Sequence, residues 1–391
     1  MKSIFSKPLY LGAATRSPIG KFGGSLSHLS APDLAGLVLR ESLRNAPEAA
    51  PADFVILGHA RQAGCGPNPA RQATISAGLS ESVPAFTVNQ ACASGLLAII
   101  SGLEKIALGK ARSVWAGGVE SMSNTPYFLH QARWGQKMGM GEVTDGMRKD
   151  GFFCPMSGVL MGETVETFLA KEMGISRSEQ DAFALSSQQK AAKAWQAGLF
   201  DAEVRAIAPS GRFPGLKDDE HRREDTTLAS LAKLPAVFDA EKGSLTAGNS
   251  SGITDGAAFV HLSDTRGSDT LVEVIDFETT ALNPRLMGLG PVSAIQNLLK
   301  RQNLKASDLA AIELNEAFAA QIIACQRELQ LAPETLNQRG GAIALGHPIG
   351  ATGTRITVSL SHILKAKPGS LGIAALCVSG GMGVAILLKA V

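Results

Sequence analysis

Residues 93–108 carry apolar side chains at Leu96, Leu97, Ile99, Ile100, Leu103 and Ile106. As a helix, that spacing covers more than one face with hydrocarbon. Such a helix cannot lie on a surface; it needs protein on both sides. Short apolar runs stand before and after it, Ala85-Phe86-Thr87-Val88 and Ser113-Val114-Trp115-Ala116. Strand, buried helix, strand in that order predicts a parallel crossover inside a layered α/β fold.

The same rhythm extends to both ends of the chain. Leu9-Tyr10-Leu11 and Phe54-Val55-Ile56-Leu57 read as strands, and 31–45 and 68–77 as helices. In the last third, Val272-Glu273-Val274-Ile275, Ala310-Ala311-Ile312-Glu313-Leu314 and Ile373-Ala374-Ala375-Leu376 read as strands. Helices there fit 292–302, 316–328 and 351–365. Two outer parts of similar length and rhythm suggest an internal duplication.

Between them the texture changes. Seven of the ten methionines lie between Met122 and Met173, a composition that suits adaptable surfaces as well as gap-filling. Ser176-Arg177-Ser178-Glu179 is a capping box opening a helix that stops near Gly198. Charged loops such as 217–225 surround it. The chain therefore divides into 1–120, an inserted segment 121–247 that covers a site, and 248–391.

At 391 residues the chain exceeds the size of a single core. A net charge of +2 argues against a general polyanion-binding surface, and hence against nucleic acid and membrane partners. The five cysteines, at 65, 92, 154, 325 and 377, are widely spaced and contain no CxxC pair. Structural zinc, a redox motif and a disulfide framework are not expected, and neither is any other metal site. The stretch 1–19 lacks a signal-peptide core, no run approaches a membrane span, and the C-terminal Leu388-Lys389-Ala390-Val391 is no peroxisomal address. A cytoplasmic protein is expected.

Several segments carry chemistry. Gly340-Gly341-Ala342-Ile343-Ala344-Leu345-Gly346-His347-Pro348-Ile349-Gly350-Ala351-Thr352-Gly353 holds one histidine and no charged residue. It is a poor solvated loop, and an imidazole fixed there can move a proton or polarise a carbonyl. Asn89-Gln90-Ala91-Cys92-Ala93-Ser94-Gly95 places Cys92 at a helix N-terminus, where unpaired N–H groups favour a thiolate. By position alone Cys92 is either a nucleophile or a small core residue. Cys377 ends an apolar strand before Val378-Ser379-Gly380-Gly381-Met382-Gly383; that turn either offers N–H groups to an oxyanion or is merely tight. It fails as a dinucleotide loop, because no acidic residue can follow about 20 residues later. Asn315-Glu316-Ala317-Phe318-Ala319 holds a polar pair that orients a water or carbonyl, or caps a helix. Gly248-Asn249-Ser250-Ser251-Gly252-Ile253-Thr254-Asp255-Gly256 holds a ligand amide or makes a β-turn.

Together with Arg16-Ser17-Pro18-Ile19-Gly20 and Gly117-Gly118-Val119-Glu120-Ser121-Met122-Ser123, these blocks resemble the thiolase family, in its order and spacing over nearly the whole chain. The resemblance implies the thiolase fold: two similar five-stranded α/β halves in a five-layer αβαβα sandwich, with an inserted α/β loop domain binding coenzyme A. It implies an acetyl-CoA C-acyltransferase of fatty acid metabolism, acting on acetyl-CoA, CoA and 3-oxoacyl-CoA as substrates with no permanently bound cofactor. Cys92 would carry the acyl thioester. His347 would take its proton and bond the thioester oxygen. Cys377 would move the proton at C2 of acetyl-CoA. Asn315 would hold a water of one oxyanion hole, and the backbone N–H groups of Cys92 and Ser379 would form another. Arg223 would lie near the CoA nucleotide. Ser230, Ala247 and Ser251 would line the pantetheine path, with Phe318, Phe152 and Met287 nearby. Members are homodimers or homotetramers.

Leu160-Met161-Gly162 stands where many acetoacetyl-CoA thiolases carry His-Met-Gly. This departure leaves room for longer 3-oxoacyl chains. Decarboxylating condensing enzymes on the same scaffold pair a cysteine with two histidines, and here Cys377 takes the second histidine's place. A non-catalytic acyl-CoA-binding subunit is the remaining alternative, against which the intact reactive residues argue.

Overall fold

The computed structural model describes residues 3–49 and 51–391; Met1, Lys2 and Ala50, and with them the first two positions of the 1–19 stretch, lie outside the described residues. Nine strands form its backbone: β1 (Leu9–Arg16), β2 (Phe54–His59), β3 (Ala85–Val88), β4 (Ser113–Ser121), β5 (Thr254–Ser263), β6 (Thr270–Ala281), β7 (Leu309–Leu314), β8 (Leu371–Val378) and β9 (Met382–Ala390). They make one hydrogen-bonded sheet in the order β7-β8-β9-β6-β1-β5-β4-β2-β3, with the short strand Gly20–Lys21 pairing on β5 as a tenth member.

That order contains the duplication. Outward from the centre, the first half runs first, fifth, fourth, second and third strand in chain order. The second half, β6-β9-β8-β7, repeats first, fifth, fourth and second. Where its third strand would stand, the chain makes a single parallel bridge, Ile312 to Leu336. The halves join through the antiparallel pairing of β1 with β6, Leu9 opposite Val274 and Leu11 opposite Val272. The second half is thus one strand short of the expected five, and the two sheets form one ladder.

The buried helix expected at 93–108 spans Ser94–Ala107, and its counterpart spans Ile349–Lys365. Their apolar faces share one core with residues of both halves, among them Ile99, Leu103, Ile356 and Leu360 with Val260 and Ile386. The helices Ala31–Asn45 and Pro69–Ser76 cover the outer face of the first half, and Gly290–Gln302 and Ala319–Leu329 that of the second. Five layers result, helix and sheet alternating. The central helices meet across glycine. A Cβ on Gly95 would stand 2.9 Å from the Gly350 carbonyl oxygen, and one on Gly353 2.5 Å from the Leu96 nitrogen.

Between β4 and β5 the chain makes a long excursion and returns to its starting point, since these strands pair from Asp255–Ser121 to Ser263–Ser113. The excursion holds two small hairpins, Tyr127–Phe128 with Thr144–Asp145 and Phe153–Cys154 with Val159–Leu160. It also holds the helix Arg177–Gln196, opened by the expected Ser176–Glu179 capping box.

Candidate active site

Cys92 sits on a single tight turn, Ala91–Ala93, between β3 and the first central helix. Ala91 is held at φ 46°, a left-handed conformation that costs a non-glycine residue about 1 kcal/mol or more. Neighbouring side chains enforce it: Asn89 Oδ1 accepts the Ala91 N–H at 2.9 Å, and Ser94 Oγ donates to the Ala91 carbonyl at 2.7 Å. The thiol is presented from the turn while its residue stays only 7% exposed. Burial pushes it up, against the Arg61 charge and hydrogen bonds from the backbone N–H groups of Ser379 and of Cys92 itself. The thiolate expected from the helix terminus is therefore corrected: the resting sulfur is a thiol, because desolvation outweighs the Arg61 charge and the backbone N–H groups.

His347 stands at the equivalent place in the second half, just before the other central helix. Gly346 precedes it at φ 107°, and a Cβ there would meet Thr254 at 2.6 Å. Burial first, then the charges of Arg355 and Arg61, push the imidazole down to about 3, so it is neutral. Thr352 Oγ1 donates to the Pro348 carbonyl at 2.9 Å and lies 2.6 Å from His347 Nδ1. That network puts the ring proton on Nδ1 and leaves Nε2 as acceptor. Asn315 Nδ2 approaches Nε2 at 3.4 Å, while Asn315 Oδ1 is buried with no partner among the described residues.

Cys377 lies near the end of β8, paired with Gly383 of β9 across the turn containing Gly380 and Gly381 at φ 89° and 82°. Burial, the largest cause, pushes its thiol well up. A group so raised holds a proton at neutral pH, as a general acid requires.

Cys92, His347, Cys377 and Ser379 line one cavity of about 580 Å³. Phe152, Met287, Phe318, Ala247, Ser251 and Arg223 line it too. Ser230 lines a smaller neighbouring cavity of about 170 Å³, which shares Arg223 and Ala247 with the first. Asn315 is not part of the wall and reaches it through His347. The wall contains groups the sequence did not single out: Arg148 and Asp145, Phe238, and His221, whose imidazole burial pushes down to about 4. His221 lies against Gly252, where a Cβ would be 2.3 Å from its ring. Its only sequence signal was the charged loop around it.

Two buried carboxylates brace this geometry. Glu120 Oε2 accepts the Gly350 N–H at 2.9 Å and its Oε1 the Arg61 N–H at 3.1 Å, with His59 Nε2 also at 3.1 Å. It thereby ties β4 of the first half to the turn that carries His347. Burial works to raise its carboxyl, but His59, Arg61 and the Gly350 N–H together lower it. Glu316 accepts the Ile343 N–H at 3.1 Å, Ser187 Oγ at 2.7 Å and Asn337 Nδ2 at 2.8 Å. The helix expected from 316 starts instead at Ala319, because this segment is committed to those bonds and to a bridge between Phe318 and Ser250.

Residues 10–265 match the family described as Thiolase, N-terminal domain, and residues 268–390 match Thiolase, C-terminal domain. A probable acetyl-CoA acyltransferase of Staphylococcus epidermidis is 45% identical over 391 residues, covering 97% of this chain and 98% of that protein. The crystal structure of the Bacillus anthracis acetyl-CoA acetyltransferase is 40% identical with a TM-score of 0.93, covering 99% of this chain and 100% of the other. Human mitochondrial 3-ketoacyl-CoA thiolase in complex with CoA is 35% identical with a TM-score of 0.92, covering 98% of each.

Proposed function

The chain belongs to the thiolase family and is an acyltransferase, and from that premise we propose how its own residues carry out CoA-dependent thiolysis of 3-oxoacyl-CoA, or the reverse condensation of two acetyl-CoA. The Cys92 sulfur attacks the 3-oxo carbon, and His347 Nε2 takes the thiol proton. The C2–C3 bond breaks, leaving the acyl group on Cys92 and an enolate of acetyl-CoA. His347 and a water on Asn315 stabilise the enolate oxygen, and the backbone N–H groups of Cys92 and Ser379 serve the other oxyanion. Cys377 gives its proton to C2, and acetyl-CoA leaves. The resulting Cys377 thiolate takes the proton of an incoming CoA thiol, whose sulfur attacks the acyl group; Cys92 leaves as a thiolate and takes back the proton held on His347 Nε2. The balance closes with no metal or redox cofactor.

The observation that carries this reading is that two thiols and a neutral imidazole, from three distant stretches, line one cavity. Purified protein should cleave acetoacetyl-CoA and 3-oxohexanoyl-CoA when CoA is added. A folded protein that cleaves neither would overturn it.

CoA is read as substrate, its nucleotide near Arg223 and Ser230 and its pantetheine along Ala247, Ser251 and Phe318. Residues 121–247 are the segment that holds it, between halves 1–120 and 248–391. Leu160 in the cavity wall supports acyl chains longer than acetoacetyl. A cytoplasmic homo-oligomer, dimer or tetramer, completes the reading. Among the described residues no helix is long and apolar enough to cross a membrane. Two surfaces favour self-association: the sheet-edge strand β3, next to Cys92, and the apolar side chains of Trp134, Met138 and Met140, which stand almost wholly in solvent.

A further inference from the structure

We infer that Arg61 is the electrostatic partner of the Cys92 sulfur: its buried guanidinium favours the anionic sulfur from behind the cavity wall and acts through Cys92 without touching substrate. The inference rests on Cys92 being the nucleophile. Arg61 is only 6% exposed, and its Nε and Nη2 are buried with no acceptor among the described residues. A cation held this way is costly, and an apolar side chain of similar volume would serve stability as well or better. The fold nevertheless makes room for it. Its guanidinium lies against Gly151, where a Cβ would stand 2.4 Å from Nη2 and 2.7 Å from Nε. The guanidinium carbon is 5.9 Å from the ring centroid of Phe152, and Phe152 lines the cavity with Cys92. A permanent positive charge therefore sits one side chain behind the wall, in a poorly screening interior.

Among the other charged and titratable groups, Asp145, Arg148, His221 and Arg223 line the same cavity as the thiols. Glu120 accepts the Arg61 backbone N–H and opposes the effect, with His59 beside it. His347 is neutral, Cys377 is a thiol, and Arg355 acts on the imidazole. The Arg61 charge opposes the burial that keeps the Cys92 sulfur protonated. Arg61 is thus a positioning residue for charge.

Alkylation of Cys92 by iodoacetamide, followed from neutral to alkaline pH and located by peptide mass, reads the sulfur directly. It needs no CoA, so its outcome is separate from whether thiolysis is observed. Arg61→Met should move the inflection up by about one pH unit and slow alkylation at neutral pH about tenfold. Arg61→Lys, which keeps the charge, should stay within about threefold of the native rate. Should Arg61→Met not fold, Arg61→Gln carries the same expectation and Glu120→Gln the opposite shift. Coincident profiles for the native protein and the neutral variant would overturn the inference. So would an Arg61→Lys shift as large as that of Arg61→Met, which would make packing rather than charge the cause.

Discussion

His347 keeps its Nδ1 proton on Thr352 and turns an unprotonated Nε2 towards Asn315, while both reactive sulfurs rest as thiols. On the proposed reading, attack by Cys92 therefore needs the His347 Nε2 to take its proton. Cys92→Ala should abolish the acyl-enzyme altogether. Cys377→Ala should still accept an acyl group on Cys92 but lose exchange of the C2 protons of acetyl-CoA with deuterated solvent; retained exchange would contradict the assigned acid. The buried imidazoles also link pH to stability. His347 falls to about 3 and His221 to about 4, from 6.5. Between those values and 6.5 the unfolded chain binds protons that the folded one does not. Acid therefore destabilises the fold, by at most about 1.4 kcal/mol per pH unit for each group, and above 6.5 neither contributes. Urea midpoints should fall from pH 6.5 towards pH 5, and His221→Gln should flatten the slope. An unchanged slope would mean that His221 stays solvated. Cys92, His347 and Cys377 were legible because their neighbours are small, apolar and uncharged, a texture that only close backbone approach explains. Arg61 was not, because its burial depends on Gly151, 90 residues away in sequence.

The glycines bind elements together rather than loosen them. A Cβ on Gly118 of β4 would stand 2.3 Å from the Gly350 carbonyl oxygen, at the crossing that Glu120 also ties. Gly118→Ala should cost about 1–3 kcal/mol in urea unfolding, with a fall in turnover because the His347 turn must shift. Wild-type stability in that variant would show that the crossing has slack. The apolar runs at Ala85–Val88 and Ala310–Leu314 identified strands well, the second beginning one residue earlier at Leu309, since a short run between turns has few other uses. Helix starts were less legible where polar residues serve a tertiary bond. Glu316 reads as a helix opener but spends its carboxylate on Ile343, Ser187 and Asn337, so the helix waits until Ala319.

Across the whole molecule, the repeated strand order explains why Cys92 and His347 line one cavity. Each follows the third-strand position of its half, and the two central helices that begin there lie side by side. Rhythm alone suggested the duplication, while the missing third strand of the second half, reduced to a bridge from Leu336 to β7, was invisible, because a lone bridge leaves no apolar run. The exposed Trp134, Met138 and Met140 predict burial in an assembly. Light scattering of Trp134→Glu/Met138→Glu should show a smaller oligomer with its secondary structure intact; an unchanged mass would remove this loop from the interface.

The account turns on one covalent event, so intact mass after mixing the protein with acetyl-CoA tests it most directly. A single acetyl group mapping to Cys92, and lost on adding CoA, is the predicted result. An adduct on another residue, or none on a folded protein, would contradict it.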